Sequence, residues 1–575
     1  MAPTLPNALL SSRDLSLKTQ RIGALPLLNH LIDRLRLEAL LDRFLPTRDD
    51  RTKLSHAKAL GVLLRSIVLE REPIYRQQET VETYAPSAFG LNEAEVRALS
   101  DDSVGRALDR LFVADRGTLL TTCVVAAGKT FGLSFKELHN DSTSVRLCGQ
   151  YAQAKGRSIR GKRAPWITHG HSKDHRRDLK QLLFILTMTA DGNVPVQFRS
   201  EDGNTNDSTT HLATWEALCR ISGDVGFLYV ADSKLCSQEA MESIAAKGGR
   251  FVTVLPRSRR EDAQFRQWVQ EFVPQWEKVR DRPNPRKKHG PRDFWYTFRY
   301  PVPTKEGYPL TWVYSTILRS HQQHSRQERI DRAKQELDRF REKLEAPRAR
   351  RRSEAQIEKK SASILSRLHV SKYIRAWACE KESPVYRQDH PGRPGPDTRY
   401  LRKLHKRLSV GYEVNTIEID YDMKSDGMYP LVTNDRALTP KEIFDAHRRQ
   451  PKLEKRFQQV KSIHEIAPVF LKNEGRIEAL FFLYFLALLL QALLERELRL
   501  AMEKHEVTDL PLYPEERRSS QPTADMVFKL FSHIQRNVLL HKGDEVKSFE
   551  PELTDLQQQI LTLLGIPLSR YTANA

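Results

Sequence analysis

The sequence predicts an α/β protein. A mixed sheet with flanking helices is split by a basic β/α insertion, preceded by a helical domain and followed by a helical tail. Three observations predict this. Apolar residues before about 131 recur at helical spacing, and short strand-like runs alternate with helical ones between 138 and 255. The third is charge: the 160 residues from Gly249 to Leu408 hold 39 basic and 19 acidic residues, a net +20 that equals the formal charge of the whole 575-residue chain. A basic region so confined points to a polyanion, most often nucleic acid; a solvated helical surface is the plainer alternative. With 39% hydrophobic and 29% charged residues, global disorder is excluded. Five scattered cysteines with no CxxC pair argue against a zinc ribbon or a disulfide framework and fit a reducing cytoplasm.

Taken in order, residues 1–20 read as a flexible arm without the charged and apolar regions of a signal peptide. Residues 21–131 read as a helical DNA-binding or dimerisation domain. Leu27-Leu28…Leu31-Ile32…Leu35 follows Pro26, which suits a first turn, and Ser100-Asp101-Asp102 caps a later helix. A helix-turn-helix within 55–83 and a plain helical bundle fit equally well.

Residues 132–255 then offer strands at Leu138–Val145, Leu182–Thr189 and Val194–Phe198, with an Asp191-Gly192-Asn193 turn between the last two. A helix near 208–221, a strand Gly226–Asp232, a helix at 237–247 and a strand Phe251–Leu255 follow. The order β-β-β-α-β-α-β is that of an RNase H-like sheet. Residues 256–410 form the basic insertion, with strands near 294–300 and 311–318, polar helices over 324–370 turning at Pro347, and a loop marked by Pro384, Pro391, Pro394 and Pro396. Five of the seven tryptophans lie there: Trp268, Trp276, Trp295, Trp312 and Trp377. Core packing is the plain reading; stacking on an unpaired base is the functional one. The helices over 324–370 could instead form a dimerising pair.

Residues 411–504 resume the core, with strands at Tyr412–Tyr421 and Met428–Thr433 and a helical region from Pro440 to about Ser462, broken at Pro451. The apolar run Ala479–Leu494 is shorter than the roughly 20 residues a spanning helix needs, so it reads as a buried core helix with no membrane role. Residues 505–575 read as a helical tail.

Two aspartates stand where chemistry could be built. Asp141 lies inside one strand and Asp232 ends another. Each alone has a plain reading, a solvent-facing residue or a helix cap. In an RNase H-like sheet, however, the first and fourth strands are neighbours and the two carboxylates converge. Two divalent ions about 3.5–4 Å apart need a third carboxylate. Glu454 is the candidate. His447, Gln450, Glu454 and Lys461 would share one face of an unbroken helix. Pro451 is better suited to start a helix, on which Glu454 and Lys461 still share a face. Ordinary surface charge is the alternative. Further basic residues, Lys173, Arg176 and Arg177, follow His169-Gly170-His171 and suit a DNA-facing loop better than a zinc site.

These segments together resemble the DDE transposases of bacterial insertion sequences, in the branch with an insertion before the catalytic Glu. The resemblance rests on His139-Asn140-Asp141-Ser142-Thr143-Ser144, on Gly170-His171-Ser172-Lys173-Asp174-His175-Arg176-Arg177-Asp178-Leu179-Lys180-Gln181, and on Gly203-Asn204-Thr205-Asn206-Asp207. Val230-Ala231-Asp232-Ser233 and Asp426-Gly427-Met428-Tyr429-Pro430-Leu431-Val432-Thr433-Asn434, leading to Glu454-x6-Lys461, complete it. The family pattern is Tyr-x2-Arg-x3-Glu-x6-Lys; here His447 and Gln450 take the Tyr and Arg positions.

The resemblance implies that Asp141, Asp232 and Glu454 hold two Mg²⁺ ions, replaceable by Mn²⁺, and that Lys461, His447 and Gln450 sit at the DNA. It implies a cytoplasmic, DNA-bound homodimer that cuts double-stranded DNA at terminal inverted repeats and joins the 3′-OH ends to target DNA. An RNase H-like nuclease without joining activity and a non-catalytic DNA-binding derivative are the rival expectations.

Overall fold

The computed structural model describes residues 15–47, 52–171, 176–283, 292–346, 349–350, 352–463, 471–513, 515 and 517–572. The chain forms two compact units, residues 1–253 with 445–575, and residues 254–444.

In the first unit, seven α-helices are described between Leu25 and Phe131. The first carries Pro26 in its opening turn and buries Leu27, Leu28, Leu31, Ile32 and Leu35. Ser100 caps Asp101–Val113 through a reciprocal bond pair with Ser103. The helix His56–Leu69 is buried on nearly every side. These helices lie in the same compact unit as the sheet.

The sheet of this unit is built from β1 (Glu137–Leu147), β2 (Lys180–Thr189), β3 (Pro195–Glu201), β4 (Leu228–Ala231) and β5 (Arg250–Val254), with helices α1 (His211–Ser222) and α2 (Gln238–Ala246) in the crossovers. Its spatial order is β3-β2-β1-β4-β5. β1 is antiparallel to β2 and parallel to β4, and β4 is parallel to β5. The predicted strand and helix order is found.

Three later helices close on this sheet: α3 (Pro440–Arg449), α4 (Pro451–Gln458) and α5 (Glu474–Lys504). Pro451 opens α4, as its missing N–H requires. A π-helical stretch, Gln459–Ile463, continues it and shifts the phase, so Glu454 and Lys461 no longer keep ideal helical spacing. Every residue of α5 from Ala479 to Arg496 is buried. Its length and hydropathy would suffice to cross a membrane, yet 94% of its most apolar window is packed inside the protein.

Ion pairs anchor α5. Arg476 meets Asp109 at 2.8 Å and Glu478 meets Arg116 at 2.6 Å on the N-terminal helices, and Arg496 meets Asp191 at 2.8 Å in the β2–β3 turn. In that turn Gly192 has φ +74°, and a Cβ there would lie 2.6 Å from the Arg496 side chain. Glycine is therefore needed both for its conformation and for the close approach.

Both ends of the chain differ from expectation. Leu15–Arg21, placed in the arm, is a strand paired antiparallel with Gln535–His541, which pairs in turn with Asp544–Phe549. The C-terminal segment is therefore not purely helical. Lys542 and Gly543, both at positive φ, make its tight turn.

The second unit has four strands in the order Met428–Thr433, Leu310–Ser315, Asp293–Tyr300, Glu277–Arg282. Trp312 is buried and stacks on Phe265 at 3.6 Å, and Trp268 stacks on Phe298, so these two tryptophans do pack the core. Along the helix Thr316–Glu345, Ile330, Ala333, Leu337, Phe340 and Leu344 form an apolar stripe. It packs in one core with residues of Glu354–Arg367 and with Ile374 and Val410. That face is used within the chain and is not available for the dimer considered above. Pro347 lies outside the described residues.

Ile374–Gln388 and Tyr400–Val414 pair over 15 residues as a two-stranded ribbon. Pro384, expected in a loop, lies within it. The strand expected at Tyr412–Tyr421 ends at Val414, and Asn415 caps a helix, Thr416–Ser425. A capping Asn followed by Glu418 is a helix start that overrides the local strand-like pattern.

Candidate functional site

The two aspartates are set by strand register. Asn140 of β1 lies opposite Ala231, the last residue of β4. Because the strands are parallel, the next residues, Asp141 and Asp232, continue side by side. Asp141 is half-buried; its carboxylate accepts from the Ser142 N–H at 2.7 Å. Asp232 keeps a side-chain exposure of 40%. Its carboxylate accepts from the Lys234 N–H at 3.1 Å, and so also caps the short helical turn Ser233–Leu235. The capping reading of Asp232 is met.

Side chains alternate along a strand, so Glu137, His139 and Asp141 share one face of β1. The junction of α3 and α4 docks on that face. Arg449 donates twice to Glu137, at 2.6 and 2.7 Å. The ring nitrogens of His139 face Gln450 Oε1 at 3.1 Å and Glu137 Oε1 at 2.7 Å. Gln450 Nε2 donates to the Asn140 carbonyl at 2.7 Å. Burial pushes the Glu137 carboxyl up, but hydrogen bonds from His139 and Arg449 outweigh this and hold it at about 2.

Gln450 and His447, expected at the DNA, are thus drawn inward. The Gln450 amide is spent on β1, and burial, then the nearby His139, lowers the His447 imidazole to about 4. Glu454 is one turn on from Gln450 and about 40° around the helix. Leu453, Arg456 and Phe457 turn inward, whereas Glu454 is exposed. Glu454 therefore projects from the helix whose start is tied to the β1 face that carries Asp141. Among the described residues, no three His, Cys, Asp or Glu side chains are already close enough to hold a metal ion.

The opposite face of β1 carries a network that sequence reading missed. Thr187 donates to Asn140 Oδ1 at 2.8 Å, and Ser142 donates to Asp207 at 2.8 Å. His211 Nδ1 lies 3.1 Å from the Tyr229 hydroxyl and 3.5 Å from Asn140 Nδ2. Burial, then the Asp232 charge, keeps the Tyr229 phenol protonated. Two donors therefore converge on Nδ1, which places the ring proton on Nε2, 3.8 Å from the Asp232 carboxylate. The spacing of Asp207 and His211, one helical turn apart, was the available signal.

Arg176 pairs with Asp178 at 2.7 Å, and Arg177 is exposed. Lys173 and His175 lie outside the described residues. Lys461 falls in the π-helical stretch, partly exposed. Behind α4, Lys452, Lys455, Arg456 and Arg499 help line a cavity of about 760 Å³. Burial, then Arg449 and Arg499, lowers the Lys452 ammonium.

Residues 17–125 match a family model described as a domain of unknown function (DUF4277). No curated protein is detectably similar to the chain. Among solved structures, the chain is similar to the piggyBac transposase synaptic complex with hairpin DNA, at 10% identity and a TM-score of 0.26. That match covers 52% of this chain and 63% of the other, less than two thirds of its length, and at this TM-score it bears no weight. The chain is a mixed α/β protein with a large mixed sheet, and its N-terminal helical region carries the DUF4277 match.

Proposed function

We propose that the chain is a DDE transposase with an RNase H-like core, acting on double-stranded DNA in the cytoplasm as a homodimer at paired element ends. The observation that carries this reading is the parallel register of β1 and β4, which sets Asp141 and Asp232 side by side at the ends of neighbouring strands. The docking of Gln450 on the same strand supports Glu454 as the third carboxylate.

The donor set suits Mg²⁺: hard carboxylate oxygens, two of them on adjacent strands and a third on an exposed helix face. Asp141, Asp232 and Glu454 would hold two ions, with Mn²⁺ as a substitute. The ions would supply activation of the attacking water or 3′-OH and neutralisation of charge at the transferring phosphate. The chain's own residues orient this centre. His211, which bonds Tyr229, lies 3.8 Å from the Asp232 carboxylate. The Glu137–His139–Arg449–Gln450 cluster holds the start of α4 against β1. Lys461 would meet a phosphate as a point charge, and Arg176 and Arg177 the flanking backbone.

The test compares Asp141→Asn, Asp232→Asn and Glu454→Gln in Mg²⁺-dependent cleavage and strand-transfer assays on the element's own ends. Each is expected to lower both activities at least about 10³-fold while end-binding is kept. Strand transfer surviving in any variant removes that residue from the site. Cleavage by the intact protein without joining favours the nuclease reading.

A further inference from the structure

The ribbon Ile374–Gln388/Tyr400–Val414 divides into two parts. Its base packs into the core beneath the long helices through Ile374 and Val410. Lys381 pairs with Glu345, and Lys406 lies 3.3 and 3.9 Å from Glu380 and Glu382. Beyond these pairs, residues 383–405 hold five Arg or Lys and two Asp. The five cations, Arg387, Arg393, Arg399, Arg402 and Lys403, are exposed. Among the described residues none of the five forms an ion pair.

The same stretch exposes large apolar side chains. Tyr386 is 61% exposed, Leu401 58%, Leu404 52% and Tyr400 51%. Cross-strand register interleaves them with charge: Tyr386 lies opposite Arg402, and Arg387 opposite Leu401.

A two-stranded hairpin is at best marginally stable by itself in water, and a chain does not commonly leave aromatic and aliphatic groups on one without use. The occupant must tolerate a net positive arm. A second copy of the same arm would repel it. Duplex DNA answers both features, since its phosphates match the cations and its major groove admits a two-stranded ribbon. Six residues per strand at about 3.4 Å each give a reach of about 20 Å, enough to span the groove.

We propose that residues 383–405 form a DNA-gripping arm. The arm enters the major groove, Arg387, Arg402 and Lys403 bind phosphates, and the tyrosines pack on sugar and base edges. This goes beyond the catalytic reading, because such an arm would bind DNA in a chain that never cuts it.

The test uses the full-length protein, a labelled random-sequence duplex of about 30 base pairs and EDTA, so that cleavage plays no part. Affinity is measured across a salt series for the wild type, for the triple variant Arg387→Gln, Arg402→Gln, Lys403→Gln, and for a chain in which 383–405 is replaced by Asn-Gly. The triple variant should bind at least about 10-fold more weakly, with the slope of log K against log salt shallower by about 2 to 3. The shortened chain should show an equal or larger loss.

Unchanged affinity and slope in the triple variant would overturn the proposal. So would loss of self-association in the shortened chain with DNA affinity kept, which would assign the arm to a second copy. If the shortened chain does not fold, the triple variant decides alone, because its side chains are exposed and carry no packing. Failure of the carboxylate variants to lose activity would leave this measurement untouched, so the two readings fail separately.

Discussion

The charges around β1 and α4 and those on the outer ribbon are treated in opposite ways by the fold. In the first region nearly every polar group is committed: Glu137 to Arg449 and His139, Gln450 to His139 and Asn140, and Arg456 to Glu495 at 2.9 Å, both side chains under 10% exposed. On the ribbon five cations in 23 residues form no ion pair among the described residues. Polar groups between packed elements are immobilised by neighbours, at the cost of desolvation, whereas exposed cations stay in water. If the proposals above hold, the first set positions and the second binds, and the contrast predicts which substitutions are felt by the fold.

The largest expected effect on stability is at Glu495. It is shared by Arg456 and Arg499 and also accepts from the Ala524 N–H at 3.1 Å. Glu495→Ala would leave the buried Arg456 guanidinium uncompensated and should cost about 3–5 kcal/mol, read by denaturant unfolding. A cost under 1 kcal/mol would mean that the pairing around α4 is not what holds it.

Next is the acid limb of stability. Glu137 is held at about 2, below its ordinary 4.5. Its depressed value contributes stability that is complete above about pH 4.5 and is lost as pH falls towards 2. The contribution is on the order of 3 kcal/mol. Glu137→Gln should flatten that part of the stability–pH curve; an unaltered acid limb would show that the cluster does not tie α4 to β1.

Tyr229→Phe removes one donor from His211 Nδ1 and should cost about 1 kcal/mol, with a shift in the His211 imidazole NMR signals that reports the tautomer. Smallest of all, Arg402→Ala on the ribbon should change stability by no more than about 0.5 kcal/mol while weakening DNA binding. A large loss of stability there would erase the distinction between the two regions.

Much of the sheet was legible because its signals are local. The runs at 182–189 and 251–255 are apolar, 138–145 is a strand-length run of polar residues between Leu138 and Val145, and Asp191-Gly192-Asn193 marks its own turn. The break at Pro451 was legible because proline lacks a donor. Other features depend on partners far along the chain. Leu15–Arg21 is a strand only because Gln535–His541 lies beside it. His447 and Gln450 looked like surface residues of one helix, and their inward commitment exists only once His139 faces them. The polar helices over 324–370 were visible, but nothing in their composition says whether they pack on their own chain or on another.

The sequence by itself determined the α/β class, the strand order, the buried character of α5 and the confinement of positive charge, because composition, periodicity and turn chemistry act over a few residues. Only the tertiary structure decided that Asp141 and Asp232 run side by side, that Gln450 is bonded to β1, and that the five cations of residues 383–405 lack ion-pair partners among the described residues. Those outcomes depend on register and docking between segments up to about 300 residues apart, which no local propensity encodes.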